Sequence, residues 1–373
     1  MRTLMPLMLA ILGSVTPLLM PTTRALAADV HVCPVGCPHK TIQGAVNSAA
    51  SGDVIHIGAG RYVENVKIID KKLTLIGASA ATTEVDGHSD VDGPVFTLGS
   101  GVAGEYHLIE ITGLTVTHGS GEIGGGVLVQ QGAYLHLHDS VVIGNSAFSG
   151  GGIFIGTPRG PPTTVTGCLI AGNNTAFSGH APPSGGGVAV GDDSSVVITR
   201  STITRNQAAF GGGVASLTNS HLTLIQTTVS ENEAEGFSNP GGTTPGEGGG
   251  LYVSSNLSIS DSVIADNLVT SVESGPAGGG LTIVVEGKQT ISNTIIARNV
   301  ADLTVIDADG GGIETLRGGG SAALVLDRVY VVENHAPPGS TGGISNSAAL
   351  LPTHTIVADN SGFNCKGGTG CPP

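Results

Sequence analysis

Glu247 and Asp309 each stand immediately before a run of glycines, and Asp302, Asp307 and Asp309 crowd the approach to the second of those runs. Carboxylates so grouped support two kinds of chemistry. Hard oxygen ligands suit Ca²⁺, and two carboxyls on either side of a bond serve as acid and base. Glu233, Glu235 and Glu273 lie in similar stretches between repeats, with Phe177 and Phe237 the aromatic residues available beside them. Solvated acidic loops account for the same residues, and the sequence favours that reading. Four smaller groupings compete. His136 and His138 stand two apart on a strand pattern, a metal pair without a third ligand. Arg159 sits in Pro158-Arg159-Gly160, and Asp192-Asp193 falls between two apolar runs, where an ordinary turn explains it. Cys168 is the odd cysteine of five, a thiol that is either a nucleophile or a packed core residue.

The elements that carry these residues repeat. Glycine runs begin at Gly124, Gly150, Gly185, Gly211, Gly248, Gly278, Gly310 and Gly342. Each is followed 18 to 24 residues later by an asparagine, namely Asn145, Asn173, Asn206, Asn232, Asn267, Asn299, Asn334 and Asn360. Three positions before each asparagine stand Val142, Ile170, Ile203, Val229, Ile264, Ile296, Val331 and Val357. Five positions before it the column reads Ser140, Cys168, Ser201, Thr227, Ser262, Thr294, Val329 and Thr355, with the same parity and hence the same facing. Cys168 therefore belongs in an inward slot where its neighbours put hydroxyls. Arg205, Glu231, Asp266, Arg298, Glu333 and Asp359, one position before their asparagines, form an outward column of mixed charge.

Each unit holds three short strands of period two and no helical segment. That describes one turn of an all-β, right-handed parallel β-helix. Glycine allows a positive φ at one corner, and the asparagines form a structural ladder at another. A strand follows every glycine run where a phosphate cradle would need a helix, which excludes a nucleotide site. The extra length between repeats all falls between asparagine and the next glycine run, a gap of 5 to 16 residues. One edge of the solenoid therefore carries the insertions, and there a repeat protein builds its binding face. Glu247 and Asp309, two coils apart, are expected about 10 Å from each other.

Thr41 precedes Ile42, Ala45, Val46 and Ala49, an amphipathic stripe ended by Gly52. The pattern predicts a short helix closing the first coil, followed by strands at Val54–Ile57, Asn65–Ile68, Leu73–Gly77, Val95–Leu98 and Ile109–Val116. Ahead of it, Arg2, the apolar stretch Leu4 to Met20 and Ala25-Leu26-Ala27 read as a cleaved secretory leader. The expected divisions are 1–27 leader, 28–117 cap and first coils, 118–364 eight glycine–asparagine coils, and 365–373 a cysteine-containing tail. Export makes two short-loop disulfides natural, Cys33 with Cys37 and Cys365 with Cys371.

The 373 residues include 60 Gly and no Trp, with 12% charged and 3% aromatic residues, which suits a narrow core repeated many times. Without the leader, 13 basic residues face 29 acidic ones, a net charge of −16. That balance repels nucleic acid and anionic lipid. No later segment has the apolar length of a membrane span, and a monomer is expected.

The segment from Thr41-Ile42-Gln43 through Gly60-Arg61-Tyr62-Val63-Glu64-Asn65 to Val85-Asp86-Gly87 resembles the opening of pectin-lyase-like β-helix proteins. The glycine–asparagine units are similar to the repeats of polymorphic outer-membrane proteins and related exported surface proteins. Such folds host lyases, hydrolases, esterases and non-catalytic adhesins alike. Gly60, Tyr62 and Glu64 match the G-x-Y-x-E element of pectin methylesterases, but their Q-A-V-A-L and D-F-I-F-G elements and their arginine–tryptophan pair are missing. The aspartate clusters of pectate lyases and the N-T-D and G-H-G elements of polygalacturonases are missing too. The resemblance thus implies an exported surface or extracellular protein that binds glycan or another extracellular partner along its insertion edge. The alternative is a carbohydrate-active enzyme, a polysaccharide lyase or glycoside hydrolase. No cofactor is required, and calcium is the one ion the acidic edge would suit.

Overall fold

The computed structural model describes residues 27–87, 92–102, 104–175, 184–239, 242–270, 278–285, 288–302, 309–317 and 323–371. Stacked parallel strands wind through it as a right-handed β-helix. Each strand after a glycine run pairs with its counterpart in the next coil, as Val127–Val129 does with Ile153–Ile155 and that with Val188–Val190. The strand expected at Ile109–Val116 is broken by Gly113 into His107–Thr112 and Thr115–Thr117.

One correction concerns the coil itself. The first and second strands of each unit lie in one bent sheet, and the third, such as Val141–Ile143, lies in another. A further short strand then follows each asparagine from Asn145 to Asn299. Ser120–Ile123, Ser146–Ser149, Asn174–Thr175, Gln207–Ala208, Glu233–Glu235, Leu268–Thr270 and Val300–Ala301 form a seven-stranded sheet. These strands are two to four residues long, too short for alternation to reveal them in the sequence.

The Val/Ile column before the asparagines faces inward, each member at most 7% exposed. Burial of such a side chain contributes roughly 1.5–3 kcal/mol. Cys168 is a free thiol in this core, directed at the carbonyls of Thr166 and Leu137. Burial pushes its pKa up to about 11, so no reactive thiolate is available near neutral pH.

At the asparagine corner the ladder is complete. The Asn173 Nδ2 and backbone N–H both donate to Oδ1 of Asn206, at 3.0 Å each, while Nδ2 also donates to the Val142 carbonyl of the coil before. The same set recurs at every rung, and Asn364 closes it by accepting from Asn360. Arg205, Glu231, Asp266, Arg298, Glu333 and Asp359 lie beside it, each with φ of 54–59°. Arg205 pairs with Glu231, and Arg298 with Asp266. The glycine runs belong to the same device. Gly248 turns the chain at φ +67°, and a Cβ on Gly250 would meet the Gly280 carbonyl at 2.7 Å and Asn267 Nδ2 at 3.0 Å.

The predicted cap is the helix Ile42–Ser48, with Thr41 accepting from the Gly44 N–H. Glu64 accepts from the N–H groups of Ile42 and Gln43, and the buried Tyr62 donates to the Gly58 carbonyl. The G-x-Y-x-E match is thereby accounted for as structure. Both disulfides, Cys33–Cys37 and Cys365–Cys371, are formed. No helix among the described residues is long and apolar enough to cross a membrane.

Candidate functional site

The second residue of the strand after each glycine run points away from the core. Register ties these residues into one file: Leu128, Phe154, Ala189, Ala215, Tyr252, Thr282, Glu314, Ser345 and Lys366. The seven-stranded sheet stands beside this file, because the glycine turn folds the chain back on itself. Between the two, at their N-terminal end, lies a groove of about 720 Å³, lined by Ile123, Glu122 and Phe148 from the seven-stranded sheet, by Leu128 and Gln130, and by Asp92. Further along, the rings of Phe210 and Tyr252 pack at 5.0 Å between centroids.

Aromatic residues are therefore present on this face. Phe148, Phe154, Phe210 and Tyr252 supply them, which corrects the reading that only Phe177 and Phe237 were available. Phe237 belongs to a hairpin of Phe237–Asn239 with Gly242–Thr244 in the longest insertion, and Phe177 lies outside the described residues.

Glu247 and Asp309 stand where the sequence placed them, on the residue before their glycine runs and two coils apart, since the coil of Gly278 lies between them. Both are half-buried. Register adds Glu314, which the sequence reading missed. It is the one acidic member of a file that is apolar or hydroxylic up to Lys366 at its end, and a carboxylate in such a file is the sign that could have found it. Glu314 is 9% exposed, and its Oε2 has no hydrogen-bond partner among the described residues. A Cβ on Gly310 would meet that oxygen at 2.8 Å, so the carboxyl lies over the glycine turn beside Asp309. Burial first, then the charges of Asp309 and Glu247, push its pKa up to about 8, against the opposing effects of the Ser345 hydroxyl and the Lys366 charge. Burial pushes Glu247 up to about 7 and Tyr252 up to about 12, the latter helped by the charge of Glu247. Perturbed carboxyls of this kind concentrate at functional sites.

The remaining candidates fall elsewhere. Asp307 and Glu273 lie outside the described residues. Asp302 is half-buried next to the short strand Val300–Ala301. Among the described residues no three His, Cys, Asp or Glu side chains are grouped to hold a metal ion, His136 and His138 included. Arg159 and Asp193 stabilise neighbouring turns, with the Arg159 N–H donating to the Asp193 carbonyl.

The family model described as right handed beta helix region matches residues 98–361. The chain belongs to the right-handed β-helix family. No curated protein sequence matches this β-helix. Among solved structures, it is similar to ORF18 of Geobacillus virus E2, at 13% identity and a TM-score of 0.46, covering 84% of this chain and 56% of that one. It is similar too to the Dettilon tailspike protein, at 14% identity and a TM-score of 0.40, covering 90% and 68%. The pectin methylesterase of Aspergillus niger aligns over 82% of this β-helix and 86% of its own chain, at 13% identity and a TM-score of 0.35. Likenesses at this level concern the fold alone.

Proposed function

We propose that this β-helix is an exported protein that binds a polysaccharide lengthwise in the groove beside its glycine corner. The groove carries the reading: a cavity of about 720 Å³ lined by apolar side chains, a phenylalanine, an amide and carboxylates, the mixture that binds sugar rings and their hydroxyls. Among the described residues that line this cavity there is no lysine or arginine, so a neutral or cationic glycan fits better than an anionic one. The apolar leader and the two disulfides support export. A screen of the full chain against glycans and polysaccharides, with and without Ca²⁺ because Asp302 and Asp309 share this edge, tests the reading. Binding without turnover is expected, weakened about tenfold by Phe148→Ala. Absence of binding to any glycan would end it.

One observation favours a second reading, a glycoside hydrolase or lyase. Glu314, its pKa pushed up to about 8 by burial, lies beside a second carboxyl, Asp309. Turnover of a bound glycan that disappears in Glu314→Gln would establish it in place of the first.

A further inference from the structure

We propose that the sheet of third strands is the contact face of a symmetric dimer, in which a second copy of this β-helix lies face to face and antiparallel, where the sequence alone led us to expect a monomer. In the last nine strands of that eleven-stranded sheet, from Thr115–Thr117 to Ile356–Ala358, the first and third residues point outward and the register never shifts. Those outward positions hold only Thr, Ser, Ala, Val, Leu, Ile and Tyr. Ile143, Leu169, Ile295, Tyr330 and Ile356 among them are 36–48% exposed. Charge returns where the face ends, since Arg61, Glu84 and Asp86 occupy the same outward positions in the two preceding strands and pair with one another. Nine rungs by the width of one strand and its two corners make a face of roughly 40 Å by 17 Å. Two such faces together bury on the order of 1,300 Å², the extent that a specific dimer needs. Sheets pack on one another through faces of this composition.

The borders of the face select the second copy and its direction. Exposed residues with positive φ form a column on either side. Asp139, Arg200, Asp261 and Arg328 stand two positions before their strands, and Arg205, Glu231 and Asp266 directly after theirs. A two-fold axis along the strand Thr228–Ser230, the fifth of the nine, gives every rung a partner. Val141 then faces Tyr330 of the second copy, Leu169 faces Ile295, and Ile143 faces Val332. The same axis sets Arg200 against Asp261, Asp139 against Arg328, and Arg205 against Asp266, each pairing made twice. Glu231 against its own copy is the one like-charged pair. A parallel arrangement would instead set Arg205 against Arg200 and Asp266 against Asp261. Border charges add little affinity, but they fix orientation. None of the residues lining the groove of about 720 Å³ belongs to this face, so the dimer stands independently of the glycan reading.

The test is sedimentation equilibrium on the full chain, purified after export, with circular dichroism to verify the fold of each variant. Expected are the mass of two copies at about 100 µM and of one copy for Thr228→Arg, whose outward side chain meets its own charge at the axis. Arg200→Asp and Asp261→Arg should each weaken the dimer about tenfold, and the two together should restore it. Glu231→Gln should tighten it. A single-copy mass for the wild type, or a dimer indifferent to Thr228→Arg, overturns the proposal. So does a double variant that associates no better than either single one, because the antiparallel register is then wrong. If Thr228→Arg does not fold, the charge reversals, both on exposed residues, decide the question.

Discussion

At the asparagine corner every coil repeats the one before it, whereas at the glycine corner successive coils present Leu128, Phe154, Ala189, Ala215, Tyr252, Thr282 and Glu314. The first corner leaves no asparagine amide without a partner from Asn145 to Asn360. The second leaves Glu314 Oε2 without one among the described residues. Both corners belong to the same coils and depend on the same glycines, so the difference is not one of stability available locally. Uniform, satisfied polar groups hold the stack together, whereas the other corner varies from rung to rung, with Ala189, Ala215 and Thr282 fully buried and Phe154 and Tyr252 partly exposed.

The largest test of that contrast lies at the ladder. Asn232→Ala removes the acceptor for both the Asn206 N–H and Nδ2, and strips the Ile203 carbonyl of its donor. A loss of about 4 kcal/mol in unfolding free energy is expected from these orphaned buried groups, read as a fall in the denaturant midpoint. A loss below about 1 kcal/mol would mean that the ladder is decoration.

Glu314→Gln should act in the opposite direction, and only above mid-range pH. The folded protein holds the Glu314 proton to about pH 8 while the unfolded chain releases it near the ordinary glutamate value. Its contribution is fully present below the unfolded pKa and is lost as pH rises to about 8. The variant should match the wild type at pH 4 and exceed it at pH 9 by on the order of 3 kcal/mol, measured by urea unfolding at both pH values. Parallel profiles for the two proteins would remove the buried acid from the account.

The smallest effect is at Cys168. Serine already fills the equivalent position at Ser140, Ser201 and Ser262, so Cys168→Ser should shift stability by no more than about 1 kcal/mol. The native thiol should resist a thiol reagent at pH 8 until the protein is unfolded.

Why the two corners differed in legibility follows from the same contrast. Asn145 to Asn360 and the Val/Ile column announce themselves because a stacked coil imposes one residue type at one position, and the cap from Thr41 to Ser48 follows from a helical stripe. The groove had no such period. Its aromatic residues come from three columns, with Phe154 and Tyr252 three rungs apart in one and Phe148 and Phe210 in two others. Glu314 joins Glu247 and Asp309 only through strand register and the turn at Gly310. The post-asparagine strands escaped notice because two to four residues carry no readable alternation.

Hydrogen exchange of the full chain with and without a bound oligosaccharide tests the central claim most directly. Protection is predicted at Ser146–Ser149, Ile153–Ile155, Gln207–Ala208, Leu251–Val253 and Ile313–Glu314, with the strands Val141–Ile143 and Thr202–Thr204 at the asparagine corner unchanged. Protection centred on those latter strands, with the glycine corner silent, would contradict it.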